Sequence, residues 1–345
     1  MASSSLTRRS VVATGLAGAA LACLRTPASS EPIKVRYATG GGIGPNEINT
    51  CIWLPYMQEN VLKHYGKSYT LDITYTRGTP EAAQLLAAGQ VDLGTLSAPA
   101  FATTIDKNAI PDGIGIVADV YQDGQPGFAT NTFFVLKDSP IKSVADLKGK
   151  KVAINAFGSA VDIVLRVALK RAGLDPRRDL QIVEVAFANI APAIREKRVD
   201  CGVLVIPFLP VEAAKGDLRP LFTGADTLGV NSVAFIVGTN KFISQQPEVL
   251  RDILDDYTLG LSWYYDPKNR DKAIEIVANF MKSPKEALAH YFLTNGDYYR
   301  DQNGCISVAA LQKPIDAMFE QKLITKPINA SDYIKMQYLP RPCAK

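Results

Sequence analysis

The chain has 345 residues, 47% hydrophobic and 21% charged, with a formal net charge of +4. That length suits two lobes rather than one small core, and the composition excludes a largely disordered chain. Residues 1–30 hold Arg8, Arg9 and Arg25 and no acid. Taking those three from the 38 basic residues leaves 35 against 34 acids, a balance of +1 that is too neutral for a nucleic-acid binder.

Met1–Ser30 reads as an export signal. Arg8-Arg9 precedes an uncharged run to Leu24 that is too short and too rich in Ala and Gly for a stable spanning anchor, and it suits a signal h-region. Thr7–Val12 resembles a twin-arginine motif with Val where Phe is usual, and general secretion is the alternative. Ala20-Leu21-Ala22 and Ala28-Ser29-Ser30 both offer cleavage sites. Ala20–Cys23 also resembles a lipobox, with Ala where Leu is usual, which would lipidate Cys23. Export predicts a periplasmic, disulfide-permissive location. The four remaining cysteines allow three pairings. Cys305 with Cys343 would staple the C-terminal tail, while Cys51 and Cys201, inside apolar runs, suit buried free thiols.

Beyond residue 30 the pattern alternates. Strands are predicted at 33–38, 71–76, 91–96, 114–120, 132–136, 151–155, 181–186, 201–206, 218–222 and 231–237. Helices are predicted at 46–64, 79–88, 98–107, 159–172, 190–197 and 209–215, then at 247–265, 269–280, 285–294 and 307–321. Such alternation predicts an α/β fold of largely parallel sheets covered on both faces. Val91-Asp92-Leu93-Gly94 recurs as Val199-Asp200-Cys201-Gly202, and Lys34-Val35 as Lys151-Val152, which predicts two lobes of like topology. Asp92 and Asp200 read as helix-to-strand turn chemistry. Two segments, 122–131 and 224–231, are the expected crossings between lobes. The lobes are expected at 31–125 with 235–345, and at 126–234.

Ligands of open α/β sheets sit beyond the carboxyl ends of strands. The candidate binding residues are Gly42 and Ile43 in the Gly-rich loop, Ser97 and Ala98, then Gly158, Ser159 and Ala160, with Phe208 to cover an apolar face. Asn131 and Asn231 lie at the crossings as further candidates. Ser97 and Ser159 enter helix N-termini, where free N–H groups favour anions; plain capping needs the same side chain. The Gly40–Gly44 run gives no G-x-G-x-x-G, and no P-loop is present, so no nucleotide cofactor is expected. Two histidines and five cysteines without a C-x-x-C pair give no metal site. No nucleophile motif is assembled, so no enzyme is expected.

The stretches "TPEAAQLLAAGQVDLGTLSAPA" (79–100), "FFVLKDSPIKSVADLKGKKVAINAFGSA" (133–160) and "RVDCGVLVIPF" (198–208) resemble the nitrate/sulfonate/taurine-type (NMT1/SsuA-like) solute-binding proteins of ABC importers. The resemblance spans about residues 33–245. It implies a two-lobed type II periplasmic-binding fold with a ligand cleft between the lobes and a helical C-terminus. It further implies a monomer that binds a small organic anion, such as a sulfonate or carboxylate, and delivers it to an ABC permease in the inner membrane. An uncharged pyrimidine-like ligand, or an exported enzyme or sensor on the same fold, is the alternative.

Overall fold

Among the described residues, ten strands form where β-branched and aromatic residues cluster between turn formers. The structure, a computed structural model, describes residues 31–41 and 48–343. The export-signal reading of residues 1–30, with Cys23, falls outside the described residues, as do Gly42 and Ile43. In chain order the strands are β1 Ile33–Ala38, β2 Tyr69–Thr74, β3 Leu93–Leu96, β4 Ile114–Asp123, β5 Thr132–Leu136, β6 Lys151–Ile154, β7 Gln181–Glu184, β8 Cys201–Leu204, β9 Leu218–Thr223 and β10 Asn231–Thr239. They build two five-stranded sheets, β2-β1-β3-β10-β4 and β7-β6-β8-β5-β9.

The sheets are mixed rather than largely parallel. β1, β2 and β3 run parallel, and β10 opposes β3 and β4. In the second sheet β6, β7 and β8 run parallel, and β5 opposes β8 and β9. The reversed strands are the ones that arrive from the other lobe: β4 leads across to β5, and β9 leads back to β10. Such a strand is not the product of a βαβ crossover within its own sheet, so nothing requires it to be parallel.

The helix expected over 46–64 is broken. α1 Ile48–Ile52 and α2 Pro55–Asn60 are separate, because Pro55 holds Leu54 extended (φ −70°, ψ 152°) and begins a new first turn. Past Asn60 the chain turns on Asp256, whose buried carboxylate accepts the N–H groups of Lys63 (2.7 Å) and Tyr65 (2.9 Å). Next come α3 Thr79–Ala87, α4 Ala98–Asp106, α5 Ala160–Arg171, α6 Phe187–Arg195 and α7 Phe208–Ala213. The second crossing, read as a plain linker, holds α8 Gly224–Leu228. A capping box starts it: Thr223 Oγ1 accepts from Asp226 N–H (3.0 Å), and the Asp226 carboxylate accepts from Thr223 N–H (3.2 Å). The C-terminal part is helical, with α9 Asn240–Gln245, α10 Pro247–Tyr265, α11 Arg270–Met281, α12 Lys285–Ala289 and α13 Val308–Glu320. α12 stops short of the expected Thr294, since the chain turns through Leu293 at φ 56°.

The V-D-x-G repeat has a structural cause. Asp92 accepts the Arg36 backbone N–H (3.0 Å) and returns its own N–H to Arg36 O (2.9 Å). Asp200 does the same with Lys151, at 2.8 and 2.9 Å. The turn therefore equates Lys151 with Arg36, two residues beyond the expected Lys34. The glycines lie where a helix presses on the strand. A Cβ on Gly94 would come 3.1 Å from Leu86 of α3, and one on Gly202 would overlap Ile190 of α6.

Apolar clusters lie on both faces of the first sheet, one under α10 around Leu254 and Tyr257, the other around Phe101, Phe235 and Leu311. A third fills the second lobe around Phe133, Val152 and Val203. Ile163 and Val167 of α5 join the Phe101 cluster, so the lobes also meet through dry side chains. Cys305 and Cys343 are disulfide-bonded, and Cys51 and Cys201 are buried free thiols. No helix among the described residues is long and apolar enough to cross a membrane.

Candidate functional site

The loops at the carboxyl ends of β1, β3, β6 and β8 converge between the two sheets around a narrow cavity of about 40 Å³. The first lobe contributes Gly40 and Gly41 after β1, Thr79 opening α3, Ser97 capping α4, and Tyr121 from β4 with Val233 and Ala234 from β10. The second contributes Asn155, Ser159, Ala160 and Val161 between β6 and α5, Phe187 opening α6, and Val205 after β8. Asn131 enters from the first crossing. None of these side chains carries a charge. The lobes are close at this point: a Cβ on Gly78 would come 3.2 Å from Asn155 Nδ2 and 3.3 Å from Ala156 Cβ.

Local chemistry positions each polar group. Ser97 Oγ accepts the Ala100 N–H (3.4 Å) as the α4 cap and shares a 2.7 Å hydrogen bond with Thr79 Oγ1. Ser159 Oγ accepts the Asp162 N–H (3.4 Å) and donates to Asn155 Oδ1 (3.0 Å). Gly158 takes φ +74°, which favours glycine, and its N–H donates to the Asp162 carboxylate (2.8 Å). Asp162 in turn pairs with Arg166 at 2.8 Å. Gly158 N–H and the Ser159 hydroxyl are thus turned to partners inside the α5 entry, while Ala160 and Val161 line the cavity.

At the first crossing, Tyr298 Oη donates to Asn131 Oδ1 (2.6 Å) and accepts the Ile206 N–H (3.1 Å). Its ring stacks on Tyr121, with centroids 4.6 Å apart. Asp123, buried at the end of β4, accepts the N–H groups of Gly124 (2.7 Å) and Asn131 (3.3 Å). It lies against Gly224 of the second crossing so closely that any side chain there would overlap it. Asp119, four residues earlier, accepts from the Ser232 hydroxyl (2.8 Å) and Gln122 Nε2 (3.1 Å). Burial pushes the Asp119 carboxyl up to about 7 and that of Asp123 up to about 6.

Of the sequence candidates, Ser97, Asn131, Ser159 and Ala160 come together at the cavity. Ala98 is buried behind the Ser97 cap and Gly158 faces Asp162, so neither is in the lining. Asn231 directs its Nδ2 to Gly229 O (2.9 Å), which is turn chemistry. Phe208 packs against the second-lobe core, and Phe187 is the aromatic residue that the second lobe brings to the cavity. Sequence reasoning missed Tyr121, Asn155, Phe187 and Val205. Asn155 carried a signal, as the first polar residue after an apolar strand. Tyr121 carried none, because β4 is buried along its whole length.

Residues 63–270 match the model of a family described as NMT1/THI5 like. The chain belongs to the NMT1/THI5-like family. An Escherichia coli (strain K12) relative, whose name proposes that it binds aliphatic sulfonates, is 25% identical over 318 residues, covering 91% of this chain and 92% of its own. Among solved structures, the periplasmic aliphatic sulphonate binding protein SsuA from Escherichia coli matches with TM-score 0.66 at 21% identity, over 91% of this chain and 95% of that one. The periplasmic nitrate-binding protein NrtA from Synechocystis PCC 6803 matches with TM-score 0.68 at 13% identity, over 89% and 87%. These likenesses establish the fold of this NMT1/THI5-like chain as the two-lobed periplasmic-binding architecture with a helical C-terminus.

Proposed function

We propose that this chain is an extracytoplasmic solute-binding protein of an ABC importer that holds a small organic anion between its lobes and hands it to a membrane permease. The observation that carries this reading is the composition of the cleft. It gathers hydroxyl and amide side chains, glycine backbone and the first residues of α5, with no charged side chain in its lining among the described residues. Neutral donors and a helix N-terminus favour an oxyanion without trapping it in a strong ion pair. The names of the relatives point to sulfonate as the head group.

A ligand that binds only the folded protein raises its melting temperature. The test is a thermal-shift and calorimetric panel of ethanesulfonate, taurine, benzoate, nitrate and an aminopyrimidine, with solution scattering before and after addition. An anion that stabilises the protein and compacts the lobes supports the reading. Stabilisation by the aminopyrimidine alone would replace the anion with a neutral heteroaromatic ligand. Release of a chemically changed product would make the chain an enzyme.

A further inference from the structure

The hydrogen-bond wiring behind Asn131 is one-directional. Ile206 N–H is a buried backbone donor and requires an acceptor, which Tyr298 Oη supplies at 3.1 Å. The single phenolic hydrogen is then given to Asn131 Oδ1 at 2.6 Å. Burial raises the Tyr298 hydroxyl well above the ordinary tyrosine range, so it keeps that hydrogen. On its other side the Asn131 backbone N–H donates to the Asp123 carboxylate (3.3 Å), which fixes the main chain of the residue at the crossing. The Tyr298 hydrogen therefore demands the amide orientation with Oδ1 toward Tyr298. Asn131 is 2% exposed and lines the cavity, so with Oδ1 held by Tyr298 the Nδ2 is the side-chain group it has left for the cleft.

We infer that Tyr298 is a positioning residue for ligand specificity: by holding Asn131 Oδ1, it commits the amide to present a donor, not an acceptor, to whatever occupies the cleft. The inference rests on the solute-binding reading of that cleft. It lies outside the cavity lining and in the C-terminal segment, so it acts only through Asn131 and the stacked Tyr121. A ligand atom placed against Asn131 must accept; one that donates meets the wrong edge of a locked amide.

Tyr298→Phe keeps the ring and its stack on Tyr121 and removes only the hydroxyl. Affinities of wild type and variant are measured for ethanesulfonate and for ethanesulfonamide, in which one accepting oxygen is replaced by a donating amine. The expected result is about a tenfold loss for ethanesulfonate, the scale of one hydrogen bond to a charged group, with ethanesulfonamide little changed. The sulfonate-to-sulfonamide ratio therefore falls about tenfold. A merely structural role for Tyr298 lowers the melting temperature and leaves the ratio where it was, which would overturn the inference. Neutron diffraction from deuterium-exchanged wild-type crystals reads the amide directly, whatever the variant does. A deuteron on Tyr298 Oη directed at Asn131 supports the inference, and two deuterons on the Asn131 edge facing Tyr298 overturn it. Wild type that binds neither probe would count against the sulfonate reading, and the neutron result would still decide the amide.

Discussion

The two lobes share a plan and differ in what is added to it. Their sheets correspond position by position, β2-β1-β3-β10-β4 against β7-β6-β8-β5-β9, and each uses the same Asp-to-backbone turn at its central strand. The second lobe makes do with a single apolar cluster. The first is packed on both sheet faces, carries the C-terminal helices, and encloses the Arg300–Asp297 pair with both side chains at 0% exposure. The site is not duplicated with the fold. The first lobe brings the hydroxyls of Thr79 and Ser97, whereas the second brings Asn155 and Ser159 after β6 and apolar Val205 after β8. Topology repeats because sheet and helix packing demand it; the groups lining the cavity are free to differ because loops at strand ends carry no such constraint.

The largest effect that would separate the lobes is at their ion pairs. Arg300→Met leaves the Asp297 carboxylate buried without the guanidinium 3.1 Å away, and breaking a buried pair in this way costs about 3–5 kcal/mol. In the second lobe's Arg166–Asp162 pair Arg166 is partly exposed, and the buried Asp162 retains the Gly158 N–H. Arg166→Met should cost roughly 1.5 kcal/mol. Urea denaturation of both variants checks the ranking, and equal losses would erase the distinction between an overbuilt first lobe and a lean second one.

A smaller effect tests how alike the repeated turns are. Asp92→Ala and Asp200→Ala each remove a carboxylate that accepts one strand N–H, a loss of about 1 kcal/mol. Asp92 also takes both arms of the Arg36 guanidinium, at 3.0 and 2.6 Å. Because Arg36 is 44% exposed, that pair should add only about 0.5 kcal/mol. The gap between the two variants should close in high salt. A gap that persists would mean the turns differ in more than this ion pair.

Much of this comparison was legible in the sequence. β5 and α10 fall where the pattern places them, since aromatic and β-branched residues mark one and Pro247 opens the other. The crossings expected at 122–131 and 224–231 coincide with the connections from β4 to β5 and from β9 to β10. Strand direction was not, because hydrophobic alternation is the same whichever way a strand runs, and only the exchange of strands between lobes reverses β5 and β10. The lining of the cavity was half visible. Ser97 and Ser159 announce themselves as small polar residues before helices, whereas Tyr121, Val233 and Ala234 sit in strands buried along their length, where no local pattern shows which side chain reaches the cleft.

A pH-dependent effect concerns the two buried acids of β4, which its counterpart in the second lobe lacks, since β9 contains no acid. Asp119 and Asp123 have folded pKa values of about 7 and about 6, against an unfolded value of about 4. Across that window the folded protein binds more protons than the unfolded chain, so stability is greatest below about pH 4 for these groups and falls as pH rises through their folded values. The carboxylates that folding holds below the ordinary range, such as Glu81 and Asp175, are ionised in both states between pH 5.5 and 8 and add no slope there. The melting temperature should therefore drop from pH 5.5 to 8. Asp119→Asn keeps an oxygen to accept from the Ser232 hydroxyl and has no proton to release, so it should flatten the upper part of that drop and leave the part near pH 6 to Asp123. Subtracting the variant's pH profile from that of wild type isolates Asp119 from every other group titrating in the window. A difference curve with no slope would mean that its carboxyl titrates alike in the folded and unfolded chain, and that burial on β4 imposes no proton linkage on the first lobe.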